Sequence, residues 1–139
     1  MVELIVGQKG KGKTKYLLDY VAKEIQTVSG NIAFLDKNTK HMYELNNKIR
    51  LIDVTQYDVE SPSEFIGFIL GLLSQDNDLE QVYLDSFLTI SCLENQDITS
   101  TIDRLNEISR KFNVKFILSV GLDGQELPEG LKATTIISL

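Results

Sequence analysis

The chain has 139 residues, 42% hydrophobic and 24% charged, which is typical of one folded domain over residues 1–139 and argues against disorder. Twenty acidic residues outnumber fourteen Lys and Arg, so the net charge of −6 disfavours a dedicated nucleic-acid-binding protein. The single cysteine, Cys92, excludes an intrachain disulfide. No apolar run reaches the roughly 20 residues that span a bilayer, and no signal pattern begins the chain, so we expect a cytoplasmic protein.

The predicted elements alternate between strands and helices. Apolar runs predict strands at residues 2–6, 32–35, 49–54, 81–84, 114–120 and 134–138. Apolar residues at helical spacing predict helices at residues 13–28, 62–73 and 98–112. The alternation predicts an α/β fold: a three-layer αβα sandwich around a mainly parallel sheet of five or six strands.

Two helix boundaries carry specific signals. Ser61, Pro62 and Glu64 predict the start of the middle helix, with the serine as N-cap, the proline at the first position and the glutamate closing a capping box. Gly30 is expected to follow the first helix in a left-handed conformation, which glycine adopts without steric cost.

The loop after the first strand matches the pattern G-x-x-x-x-G-K-[ST] without a mismatch. Its residues are Gly7, Gln8, Lys9, Gly10, Lys11, Gly12, Lys13 and Thr14, and Lys15 follows them as a further candidate for cofactor binding. Glycines let the backbone bend around a phosphate with its N–H groups turned inward, and the following helix adds the positive end of its dipole. The motif, between a strand and a helix, therefore predicts a P-loop, which is the phosphate-binding site of the P-loop NTPase fold.

Individual residues of this loop have predicted roles. Lys13 would reach the β- and γ-phosphates as the catalytic lysine, and the Thr14 hydroxyl would bind Mg²⁺. Lys9 and Lys11 make the loop more basic than the motif requires, and they either add affinity for phosphate or are simply solvated.

An acidic residue at the end of a neighbouring strand is needed to hold Mg²⁺ through its water shell. Asp85, which follows the apolar residues 82–84, is the best candidate. Two strands separate it from the loop along the chain, a spacing that suggests the class of P-loop proteins in which another strand lies between the two motif strands. In that class, residues 116–119 would be the inserted strand. Ser119 would then end near the γ-phosphate as a polar sensor, or it is a strand-end serine without a role.

These residues resemble the RecA-like ATPase branch of the P-loop NTPases, and the small stand-alone bacterial P-loop ATP-binding proteins among them. The likeness rests on the loop motif, on the strand ending in Asp85-Ser86 and on residues 32–36, and it covers about residues 2–120. The resemblance implies ATP and Mg²⁺ as cofactors. It also implies a catalytic glutamate just after the second strand.

The sequence departs from that family at the catalytic base. The position that corresponds to the glutamate is Asn38, with Asp36 two residues earlier, and Ser86 stands where other branches carry a glutamate. Asparagine orients a water molecule but accepts its proton poorly. Asp36 either substitutes as the base or is a turn residue at the end of its strand.

The remaining polar residues give weaker signals. Only three arginines exist, and none is placed to act as an arginine finger, so such a finger would come from a partner or a second copy. His41 lies on the ligand side of the sheet, where it contacts nucleotide or substrate or is an ordinary loop histidine. Cys92 has no partner at metal-binding spacing.

The sequence thus predicts an ATP/ADP-binding switch with weak or partner-stimulated ATPase activity, with a protein partner or homo-oligomer that supplies activation. A small-molecule or nucleoside/nucleotide kinase is one alternative, although too few arginines are present for the usual clamp on a second phosphate. A non-catalytic interaction module stabilised by nucleotide is the other. Nucleic acid is not expected as a partner.

Overall fold

The computed structural model describes residues 1–132 and 134–139 and contains a six-stranded, fully parallel sheet. The strands lie in the order β3-β2-β4-β5-β1-β6. Their bounds are β1 Val2–Val6, β2 Asn31–Asp36, β3 Arg50–Asp53, β4 Leu79–Leu84, β5 Lys115–Val120 and β6 Thr135–Ser138. The central strands are buried on both faces, which explains why they are almost continuously apolar.

Helices cover both faces of this sheet. They are α1 Lys13–Glu24, α2 Pro62–Gln75, α3 Phe87–Ile90, α4 Thr99–Phe112 and α5 Glu129–Lys132. The core on one face includes Leu17 and Val21 of α1, and the larger core on the other includes the apolar residues of α2, α3 and α4. The predicted three-layer α/β sandwich is therefore confirmed. Among the described residues, no helix is long and apolar enough to cross a bilayer.

The strand order brings the two motif strands to either side of β5. As the sequence predicts, β5 pairs with β1 on one side and with β4 on the other. The register aligns Val6 with Val120 and Leu84 with Leu118. The carboxyl ends of β1, β4 and β5 consequently meet at one edge of the sheet, where ligands bind in open α/β sheets.

The start of α2 follows its sequence signal with one difference. The Ser61 hydroxyl accepts the backbone N–H of Glu64 at 3.1 Å, as an N-cap does. The Glu64 carboxylate reaches back one residue further than a capping box requires and accepts the N–H of Glu60 at 2.9 Å. Both contacts satisfy backbone donors that the first turn leaves unpaired.

The expectation for Gly30 is wrong. α1 ends at Glu24, four residues earlier than predicted, and Gly30 is not among the residues with positive φ. Glycine is required there for space, because a Cβ atom would lie 2.2 Å from the carbonyl oxygen of Asp78. The adjacent Asn31 N–H donates to the same oxygen at 2.7 Å, so this close approach begins the pairing of β2 with β4.

Candidate functional site

A cavity of about 570 Å³ lies at the carboxyl edge of the sheet, beside the N-terminus of α1. It brings together most of the residues that the sequence singles out. Those in its wall are Lys9, Gly10, Gly12, Lys13, Thr14, Asp36, Asn38, His41, Asp85, Ser86 and Ser119. Residues from four parts of the chain therefore converge on one space.

The loop before α1 has backbone geometry suited to an anion. Gly10 and Gly12 have φ angles of 86° and 91°, which side-chain-bearing residues rarely adopt, and a Cβ on either would meet nothing within 4 Å. The N–H groups of Gly10, Gly12, Lys13 and Thr14 donate to no other group in the described part of the chain. Unpaired N–H groups at the N-terminus of a twelve-residue helix are suited to bind an anion.

Lys13 adds a full positive charge to this loop. Its Nζ donates to the Gln8 carbonyl oxygen at 3.0 Å, which folds the side chain back over the loop. Burial lowers the pKa of Lys13 below its usual value, and the carboxylate of Asp85 acts in the opposite direction. The ammonium group is thus partly desolvated, which strengthens its interaction with an incoming anion.

Asp85 is a buried carboxylate held by three donors. It follows β4, and its Oδ2 accepts the Thr14 hydroxyl at 2.9 Å. Its Oδ1 accepts the Ser119 hydroxyl at 2.5 Å and the Ser86 N–H at 3.0 Å. Ser86 adopts a positive φ of 52°, an unusual backbone conformation for a non-glycine residue. Three donors on one carboxylate fix its orientation in the cavity wall.

Asp36 is the second buried carboxylate and ends β2. Its Oδ1 accepts the Lys37 N–H at 2.7 Å. Burial raises the pKa of Asp36 to about 6, with a further contribution from the negative charge of Asp85, while Lys37 and His41 act in the opposite direction. A carboxyl group that titrates near neutrality inside a cavity is a candidate for proton transfer.

Asn38 lies in the cavity wall, but its side-chain oxygen is engaged locally. Asn38 Oδ1 accepts the Lys40 N–H at 3.1 Å and so stabilises the turn after β2. Its amide nitrogen remains as a donor. The side chain can therefore orient a polar group, but it offers no proton acceptor.

Four residues predicted for cofactor binding are not in the cavity wall: Gly7, Gln8, Lys11 and Lys15. A Cβ on Gly7 would lie 3.1 Å from the Leu139 side chain, and the Gln8 amide donates to Glu126 at 3.2 Å. Lys15 forms an exposed ion pair with Asp19 at 3.2 Å. The side chains of Gln8 and Lys15 thus make contacts outside the cavity.

The structure also adds residues that the sequence analysis did not select as site residues. Lys37 and Lys40 bring two further positive charges from the loop after β2, and α3 and the turn after it contribute Leu88, Thr89 and Glu94. The polar stretch after β2 is a signal that could have indicated the two lysines. α3 has only four residues, so its sequence shows no helical period that could have placed Glu94.

Comparison with known proteins supports the fold but does not identify a reaction or a ligand. No protein-family model matches the sequence, and no curated protein matches it. The KaiC-like protein PH0186 from the hyperthermophilic archaeon Pyrococcus horikoshii OT3 is similar in structure, with a TM-score of 0.66 and 20% identity. The match covers 98% of this chain and 69% of that chain. The fold is RecA-like.

Proposed function

We propose that this protein binds ATP with Mg²⁺ in the cavity beside α1 and acts as a slow, partner-stimulated ATPase switch. The observation that carries the proposal is the loop before α1, where unpaired N–H groups surround the position in front of the helix. The basic residues Lys9, Lys13, Lys37 and Lys40 line the same cavity in a chain whose net charge is −6. Asp36, Asp85 and Glu94 line the cavity too, so the four lysines leave a small excess of positive charge, which suits a polyphosphate.

Thr14 and Asp85 would hold the magnesium ion. Hydroxyl and carboxylate oxygens are the ligands that Mg²⁺ prefers in proteins, and Mg²⁺ keeps several of its water molecules. The Thr14 hydroxyl donates directly to Asp85 at 2.9 Å. An ion bound by that hydroxyl would replace this hydrogen bond, with Asp85 contacting the ion through water. Nucleotide binding would thereby couple α1 to the end of β4.

Hydrolysis would be slow because the cavity contains a weak set of catalytic groups. Asp36 would accept the proton of the attacking water, Asn38 would orient that water, and Lys13 would stabilise charge on the phosphate. Ser119 would keep Asp85 in place through its hydroxyl. With a pKa of about 6, Asp36 is mostly ionised at neutral pH and can accept a proton, so the weak part of the set is Asn38, which orients water but accepts no proton.

In the part of the chain that the structure describes, no arginine lines the cavity. Arg50 is the first residue of β3, at the opposite end of that strand from the cavity, and Arg104 forms an ion pair with Glu107. An arginine finger contributes about 10³-fold or more to phosphoryl transfer. A protein partner or a second copy would therefore be the source of activation.

A thermal-shift panel tests nucleotide binding. Wild-type protein would be measured with ATP, ADP, GTP and deoxynucleotides, with and without Mg²⁺, beside Lys13→Ala and the control Lys23→Ala. Lys23 lies in the last turn of α1, far along the helix from the loop. Nucleotide at 100 times Kd stabilises by about 2.7 kcal/mol, and we expect that shift in the wild type and Lys23→Ala but not in Lys13→Ala. No nucleotide-dependent shift in the wild type would refute the proposal.

Single-turnover kinetics test the switch. Without a partner, we expect the rate constant of hydrolysis to be far below the values typical of enzymes, about 1–10³ s⁻¹. Addition of a cell extract should raise it. A rate in that range from the isolated protein would exclude the slow-switch form while leaving ATP binding intact.

A further inference from the structure

Three metal-ligating side chains meet in the cavity where β2 and β4 end. Asp36, His41 and Asp85 each place a potential ligand atom within 4.8 Å of the other two. The register explains the two carboxylates, since Leu35 of β2 pairs with Leu84 of β4 and the following residues are the aspartates. His41 comes from the loop after β2, which returns it to the strand end.

The ring of His41 is held in one orientation. Its Nδ1 lies 2.9 Å from Oε1 of Glu44, and only 16% of the side chain is exposed. A carboxylate on one ring nitrogen selects the tautomer whose other nitrogen carries a free lone pair, as at histidines that bind metals. Within the described residues, Nε2 has no hydrogen-bond partner. The ring therefore keeps a nitrogen acceptor available.

Asp36 provides a second, independent observation. Its residue surface is only 2% exposed, yet it lines the cavity. One carboxylate oxygen accepts the Lys37 N–H, and the other has no hydrogen-bond partner in the described part of the chain. That free oxygen is accessible from the cavity, since it is not among the fully buried atoms without a partner. Two neighbouring carboxylates repel each other when both are ionised, and a cation bound between them would remove this repulsion.

We propose that Asp36, His41 and Asp85 bind a divalent first-row transition-metal ion, with Mn²⁺ as the representative. Mg²⁺ prefers an all-oxygen shell, whereas an imidazole nitrogen with two carboxylates suits Mn²⁺ and its neighbours in the series. Metal–ligand bonds of about 2.1 Å place neighbouring ligand atoms of an octahedral site about 3.0 Å apart, so the side chains would have to close around the ion from their separations of up to 4.8 Å. The remaining coordination positions face the cavity.

This site shares the cavity of the proposed function but needs no nucleotide. It also differs from the Thr14–Asp85 magnesium position, because its selectivity depends on a nitrogen ligand. Lys13 is not among its ligands. Metal binding and nucleotide binding can therefore be lost independently of each other, except through Asp85; Asp36 is also shared, as a metal ligand and as the proposed base for hydrolysis.

Manganese itself is the probe for the experiment, on untagged protein without nucleotide. His41 is the only histidine of the chain, so its imidazole proton resonances are identified without assignment. Paramagnetic Mn²⁺ below one equivalent should broaden them, and electron paramagnetic resonance should give the fraction bound. We expect His41→Ala to weaken Mn²⁺ binding tenfold or more and Glu44→Gln to weaken it less, while Mg²⁺ binding by His41→Ala stays at the wild-type level.

Two further variants complete the design. Asp53→Asn changes the carboxylate that ends β3, outside the cluster, and should retain wild-type Mn²⁺ affinity. Lys13→Ala should retain or increase Mn²⁺ affinity, even where it abolishes the nucleotide response. Thermal unfolding of each metal-free variant shows that it is folded.

The outcomes separate the two proposals. Unbroadened His41 resonances, or equal Mn²⁺ affinity in the wild type and a folded His41→Ala, would overturn the metal site. A wild type that binds Mn²⁺ through His41 but shows no nucleotide shift would support the metal site and refute the proposed function. Nucleotide binding without His41-dependent Mn²⁺ binding would do the reverse.

Discussion

The Ser119 hydroxyl donates to Oδ1 of Asp85 at 2.5 Å, across the neighbouring ends of β5 and β4. The Ser86 N–H lies 3.0 Å from the same carboxylate oxygen and 2.9 Å from Ser119 Oγ. The three groups form a closed buried network that leaves Oδ2 of Asp85 to Thr14. Strand β5, inserted between the two motif strands, thus orients the acid on which both proposed cation sites depend.

Replacement of Ser119 tests this network. Ser119→Ala removes one donor from a buried carboxylate, so we expect a loss of about 1–3 kcal/mol in the free energy of unfolding and weaker Mg²⁺-dependent nucleotide stabilisation. Urea unfolding and thermal shift measure the two effects. Ser109→Ala is the matched control. Ser109 lies in α4, away from the cavity, is also buried, and donates its hydroxyl to the Val114 carbonyl oxygen. A Ser119→Ala protein that responds to nucleotide as Ser109→Ala does would contradict the assigned role.

Thr14 has a separable role in metal binding. Thr14→Ala removes the hydroxyl but keeps the backbone N–H groups of the loop. We therefore expect it to retain nucleotide stabilisation in EDTA and to lose the additional stabilisation that Mg²⁺ gives, while Thr14→Ser keeps both. The measurement is the thermal shift with ATP in Mg²⁺ and in EDTA. Equal Mg²⁺ effects in Thr14→Ala and wild type would show that the hydroxyl is not a ligand.

The parallel sheet and the place of β5 between the two motif strands were predictable because the signals are local and strong. Continuous apolar runs mark buried parallel strands, and the loop motif with Asp85 fixes which strand ends must meet. Two intervening strands between those motifs then indicated the position of β5. Short, right-handed connections between parallel strands leave few possible topologies for a chain of this length.

The wall of the cavity was less predictable, since it depends on irregular segments. His41 approaches Asp36 and Asp85 only because the chain after β2 turns back, and the turn is set by contacts such as Asn38 Oδ1 with the Lys40 N–H. No periodicity encodes such a path. The role of Gly30 was misjudged for a related reason, because the close approach of the Asp78 backbone is a contact between distant parts of the chain.

Two glycine substitutions should have opposite effects on stability. Gly30→Ala places a Cβ 2.2 Å from the Asp78 carbonyl oxygen, so the backbone must shift, and we expect destabilisation by about 1–3 kcal/mol. Gly67→Ala lies on the exposed side of α2 with no atom within 4 Å of the new Cβ, and higher helix propensity should stabilise by up to about 1 kcal/mol. Urea unfolding compares both with the wild type. A neutral Gly30→Ala would show that this approach of β2 and β4 is not a constraint.

The buried carboxyl of Asp36 should make the metal-free protein less stable as pH rises. Burial, and next the charge of Asp85, raise the pKa of Asp36 from 3.8 to about 6, so between these values the folded state binds a proton that the unfolded state releases. Since one pKa unit corresponds to about 1.4 kcal/mol, the ionised group costs about 3 kcal/mol above pH 6 and nothing below about pH 4. Asp36→Asn should therefore exceed the wild type in stability at pH 7.5 in EDTA, and the advantage should vanish near pH 4.

Urea unfolding across this pH range is the measurement, with Asp53→Asn as the control. Asp53 ends the neighbouring strand and accepts the Thr55 N–H at 3.0 Å, so its replacement should give no stability advantage at high pH. Saturating Mn²⁺ should reverse the order at pH 7.5, because the ion binds the wild-type carboxylate and stabilises the folded state by mass action. An Asp36→Asn protein less stable than the wild type in EDTA at pH 7.5 would mean that the ionised carboxylate stabilises the fold rather than serving a ligand.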